Sequence, residues 1–167
     1  MRRTTAIFGF ALLMLAGCGD LGLGDYKLET GTYNVRSATL AAGGDSCNLL
    51  RFYEDAANKQ IGITTSAETV TFNLPNDPTL DTFKQPTATL TSNTLTKDAE
   101  ADWDQDWDGQ CVTHIVNFVE GDVTADNTAQ LTLTYNATRV AGTCDSVTTP
   151  FAIVPCSANL NFTATKQ

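Results

Sequence analysis

The feature that most constrains this chain is a two-residue rhythm. It is clearest at 130–138, where Leu131, Leu133, Tyr135 and Ala137 alternate with Thr132, Thr134, Asn136 and Thr138. Successive side chains of a β-strand point to opposite faces, so this spacing gathers the apolar set on one face. The rhythm recurs with Tyr33 and Val35 in 30–36, Ile61 and Ile63 in 59–65, and Val70, Phe72 and Leu74 in 69–74. It returns at the C-terminus with Leu160, Phe162 and Ala164 in 158–165. Threonine fills many of the polar positions, and branching at Cβ suits a pleated surface better than a helix. Residues 47–55 are the best short-helix candidate, although their pattern fits a strand equally well.

Turn residues punctuate the rhythm. Ser66-Ala67 joins two short strands into a hairpin, Ser92-Asn93 joins two more into a hairpin or marks one bent strand, and Pro75-Asn76-Asp77-Pro78 and Ala125-Asp126-Asn127 turn the chain. Ala41-Ala42-Gly43-Gly44-Asp45 reads as a loop, and 110–123 as a long strand broken near Gly121. The total is about eight strands, nearly all with one apolar face. Such strands form an antiparallel sheet wetted on one side, which must close on itself or pack on a second sheet. The expectation is an all-β fold: a single antiparallel domain, an up-and-down barrel similar in architecture to lipocalin-type barrels. A β-sandwich is the alternative. The similarity lies in the strand pattern, not in a sequence motif.

The N-terminus follows a different grammar. Arg2-Arg3 precede an apolar run at 6–15, then Leu15-Ala16-Gly17-Cys18. The apolar stretch 6–17 would make a helix of about 18 Å, against about 30 Å of bilayer hydrocarbon, so it does not read as a membrane span. It resembles the signal peptide and lipobox of bacterial lipoproteins. The resemblance covers the first 18 residues. It implies cleavage before Cys18, a diacylglyceryl thioether and an amide-linked acyl chain on Cys18, and a membrane partner held through that lipid. Gly19 rather than Asp follows the cysteine, which in that family points to the outer membrane. The implied division is a signal peptide at 1–17, a lipidated N-terminus and flexible tether at 18–29, and a β-domain at 30–167. Three glycines among residues 19–25 suit a tether, and the 11 residues from 19 to 29 would span about 18 Å.

Cleavage leaves 150 residues, with eight Lys and Arg against nineteen Asp and Glu, a net charge of −11. A phosphate backbone repels such a surface, so nucleic acid is excluded as a partner. Four cysteines remain beyond Cys18, and outside the cytoplasm disulfides persist. Three pairings are possible. Cys144 and Cys156 flank the last connection between strands, which predicts Cys144–Cys156 and, by elimination, Cys47–Cys111. With one histidine and no close cysteine pair, a thiolate metal site is disfavoured.

Asp102-Trp103-Asp104-Gln105-Asp106-Trp107-Asp108-Gly109 is the most unusual segment, and residues 98–126 hold nine acids and no Lys or Arg. Asp104, Asp106, Asp108 and Gly109 resemble the first half of an EF-hand loop, with Ile115 where the twelfth-position Glu would stand. That resemblance implies calcium as a candidate cofactor, held by Asp102, Asp104, Asp106 and Asp108. The competing reading is a solvated acidic edge with both tryptophans turned into the core. A third uses Trp103 and Trp107 as exposed platforms for a sugar. His114, in an apolar strand without a motif, reads as a structural or surface histidine.

No nucleophile elbow, zinc-protease or phosphate-loop pattern is present, and no catalytic residue is assigned. The expected function is a non-enzymatic binding or structural β-domain on a cell-envelope lipoprotein. The alternatives are a carrier for a small apolar ligand, or a calcium-dependent surface or carbohydrate-binding module.

Overall fold

The computed structural model describes residues 25–55, 59–75, 84–98, 102–107, 109–144 and 155–167. Within them the order is β1 (Gly31–Asp45), α1 (Leu49–Glu54), β2 (Gln60–Ser66), β3 (Thr69–Asn73), β4 (Thr87–Thr91), β5 (Thr94–Lys97), β6 (Asp102–Trp107), β7 (Cys111–Ala125), β8 (Thr128–Gly142) and β9 (Cys156–Lys166). All pair antiparallel in one sheet, ordered β5-β4-β3-β2-β1-β9-β8-β7-β6. The sheet curls into a ring because β7 meets β5, with Thr94 opposite Asp122 and Leu95 opposite Gly121. A single curled sheet, rather than two packed sheets, therefore buries the apolar faces. The expected eight strands become nine because the acidic segment forms β6, which lies end to end with β5 along one side of β7 while β8 occupies the other.

The two-residue rhythm maps directly onto this ring. Tyr33, Ile61, Ile63, Val70, Phe72, Leu95, Ile115, Val119, Leu131, Leu133 and Leu160 are almost fully buried and fill the interior. Threonine and asparagine line the outside, where Thr132 and Thr134 donate to Asn161 and Asn159 at 2.9 and 2.8 Å. Helix α1 packs Leu49 and Tyr53 inward, and Tyr53 stacks on Phe162. Its first amides bond to the Asp45 carboxylate rather than to Asn48, at 2.9 Å for Leu49 and 2.7 Å for Leu50.

Two stretches run on where the sequence suggested interruption. Residues 41–45 end β1 as a wide bulge rather than a free loop: Leu40 pairs with Leu160 and Asp45 with Ala158, so residues 41–44, with Gly43 and Gly44 at positive φ, stand against Asn159 alone. Strand β7 passes through Gly121 without a break. Gly121 has φ +154°, and a Cβ there would lie on the Gln130 carbonyl oxygen. The glycine thus lets β7 bend closely past β8 at the point where β5 closes the ring.

The disulfides correct the expected pairing. Cys47 joins Cys156, and Cys111 joins Cys144, whereas Cys144–Cys156 and Cys47–Cys111 are not formed. The cause is stagger. Cys156 lies opposite Ala137, but β8 continues to Gly142, opposite Cys111. Thr143 N–H then donates to Gln110 C=O at 2.9 Å, which brings Cys144 to Cys111. On the other side, Ser46 N–H donates to Ser157 C=O at 2.8 Å and sets Cys47 beside Cys156. The two bridges span 109 and 33 residues. In the chain-entropy model they contribute about 5 and 4 kcal/mol.

Non-reducing peptide mapping is expected to recover Cys47–Cys156 and Cys111–Cys144 linked peptides. Gly121→Ala is expected to cost at least about 2 kcal/mol in denaturant unfolding, because both its φ and its space exclude a side chain.

Candidate functional site

The acidic segment is a strand, not a loop. Trp103, Gln105 and Trp107 are buried, while Asp104 and Asp106 are exposed and Asp102 half-buried on the outer face. The tryptophans are therefore core residues and offer no stacking platform. Trp107 Nε1 donates to Thr113 Oγ1 at 2.8 Å inside the ring. Alternate side chains along a strand start about 6.6 Å apart, whereas calcium ligands sit about 2.4 Å from one centre. Among the described residues no three His, Cys, Asp or Glu side chains are placed to hold a metal ion. Asp108 lies outside the described residues.

Each remaining carboxylate has another partner. Asp106 Oδ1 accepts the Gly109 N–H at 2.8 Å and closes the turn into β7. Asp104 stands opposite His114, whose Nδ1 donates to Asp104 Oδ1 at 2.9 Å. Asp102 Oδ2 is 3.9 Å from His114 Nε2. This is a cross-strand pair on an open face, with the histidine side chain 39% exposed. Thr138 donates its hydroxyl to the His114 carbonyl at 3.4 Å, not to the imidazole. His114 is thus the surface histidine the sequence suggested.

The interior bears on the carrier reading. Beneath α1, a space of about 10 Å³ lies between Leu49, Tyr53, Leu74, Pro75, Asn117, Leu133 and Tyr135. That is room for about one water molecule. An apolar ligand at this position would have to displace core side chains.

The opposite end of the ring holds the feature that sequence reasoning missed. Residues 25–29, expected to belong to a flexible tether, are strapped across the turns. Tyr26 N–H donates to Asn93 Oδ1 at 2.7 Å, Lys27 N–H to Asp126 Oδ1 at 3.0 Å, and Glu29 N–H to Asn127 Oδ1 at 3.0 Å. Asn127 N–H returns a bond to Lys27 C=O at 2.7 Å. The Tyr33 hydroxyl donates to the Glu29 carbonyl at 2.7 Å, Leu28 is buried, and Lys166 pairs with Glu29 at 2.7 Å. The hydrogen bond and charge of Lys166 hold the Glu29 carboxyl below its ordinary range. The folded unit therefore begins by Asp25, and any tether is confined to residues before it. Asn93 and Asn127 are turn residues, and nothing in their spacing marks them as acceptors for a segment nearly 70 to 100 residues away.

Cys18 lies outside the described residues. The two bridges account for the other four of the five cysteines. Comparison of the chain with protein-family models, curated proteins and solved structures finds no match.

Millimolar calcium is expected to leave the thermal midpoint unchanged, since binding to the folded state would raise it. A second expectation concerns alkaline pH. Burial raises the phenol of Tyr33 above its ordinary range, and burial also raises that of Tyr53. Unfolded phenols lose their protons near pH 10, so above that point the unfolded state binds fewer protons than the folded one. The contribution of these groups is whole below about pH 10 and is lost as pH rises further. Denaturant midpoints should fall across that range, and less steeply in Tyr33→Phe, which should also lose about 1 kcal/mol at neutral pH.

Proposed function

We propose that this chain is a cell-envelope lipoprotein, lipidated on Cys18, whose β-domain acts by binding or structural support rather than catalysis. The observation that carries this reading is the run Leu15-Ala16-Gly17-Cys18 directly after a short apolar segment with a basic start. The cysteine pairing supports it. Two bridges inside the domain leave Cys18 as the odd member, in an oxidising compartment where the other four serve structure. The acidity supports it too, because a domain of net charge −11 needs a covalent lipid to remain at an anionic surface. The presented surface is a rigid array of threonine and asparagine side chains on β8 and β9, suited to neutral polar contacts.

The test is chemical. Mass spectrometry of membrane-extracted protein should show a chain that begins at Cys18 and carries acyl chains. Cys18→Ser should move the protein to the soluble fraction with its two disulfides intact. An unmodified cysteine in the mature chain would overturn the reading.

A further inference from the structure

We infer that the turn end of the ring faces the lipid surface, and that the disulfide end, with α1 and the acidic strand β6, points away from it. This inference rests on the lipoprotein reading and adds an orientation to it.

The strap fixes where the chain leaves the domain. Residues 26, 27 and 29 are hydrogen-bonded to the β4–β5 and β7–β8 turns, through Asn93, Asp126 and Asn127. The exit at Asp25 is thereby held at that end of the ring. Six residues separate Cys18 from Asp25. Fully extended, the path from Cys18 to Asp25 reaches about 25 Å, and a flexible chain of that length typically spans about 15 Å. The domain is thus held close to the bilayer by its turn end.

The other end stands well clear. Trp107 lies opposite Cys111, and Cys111 lies opposite Gly142, the last residue of β8, while the turn at 126–127 adjoins its first. Fifteen residues at about 3.3 Å each, tilted as in a closed sheet, raise that end by roughly 35 Å. Trp103, opposite Ile115 and so level with Ala137, stands roughly 20–25 Å up.

The two native tryptophans make the orientation measurable. The full chain, lipidated in a bacterial host and purified from membranes, is placed in phosphatidylcholine vesicles with and without dansyl-labelled headgroups, which quench nearby tryptophan by energy transfer across the headgroup gap. Emission from Trp103 and Trp107 should be the same in both. Glu68→Trp, on the exposed β2–β3 turn at the other end, should add a component that the labelled lipid quenches. Quenching of the native pair, or an unquenched Glu68→Trp in protein that floats with the vesicles and carries acylated Cys18, would overturn the orientation alone. Protein that does not float and lacks acyl chains would overturn the lipoprotein reading and the orientation with it.

Discussion

Ring closure is the constraint on which the rest of this structure depends. A sheet whose strands each have one apolar face must hide that face, and here it does so by curling until β7 has partners on both sides. Strand β7 carries an unusual share of this duty. It pairs along its length with β8, along its first half with β6 and near its end with β5. Gly121 sits where β5 arrives, with its backbone pressed against Gln130. The closing join is short: two residue pairs, Thr94–Asp122 and Leu95–Gly121, flanked by Val123 N–H donating to Asn93 C=O at 2.7 Å and the Thr94 hydroxyl to Asp122 Oδ1 at 3.1 Å.

Much of the architecture was legible because a period of two is unambiguous when one face is buried. Leu131, Leu133 and Tyr135 could point nowhere but inward, and the same holds for Ile61, Ile63, Val70 and Phe72. Glycine was the less reliable guide. Gly43, Gly44 and Gly121 suggested interruptions, yet Gly121 stays paired as β7 bends, and Gly43 and Gly44 form a bulge beyond which the ladder resumes at Asp45. The acidic segment takes the solvated-edge reading, with both tryptophans turned inward. Aspartate is a poor strand residue, but Trp103 and Trp107 bury enough surface to decide the conformation, and the carboxylates are left to find water, His114 and a turn amide.

The cysteines and the strap were less legible, for one shared reason. Both depend on how far each strand overshoots its neighbour. Alternation reveals which face a residue takes but not its height along the ring. Cys144 and Cys156 flank one connection, yet β8 outruns β9 by five residues between Ala137 and Gly142. The chain ends therefore meet different partners. Likewise, the acceptors for residues 25–29 come from turns that are distant in sequence and adjacent only after closure.

The placement of bridges and strap also governs how the molecule carries load. Both disulfides lie at the α1 end, where β1, β7, β8 and β9 begin or finish. The turn end has no covalent staple among the described residues and is held by the strap's hydrogen bonds and one ion pair. Tension entering from the N-terminal side meets these weak links first, one after another, before it reaches β1. A pull on that side would peel the strap from the turns before the stapled ring behind it lost its shape.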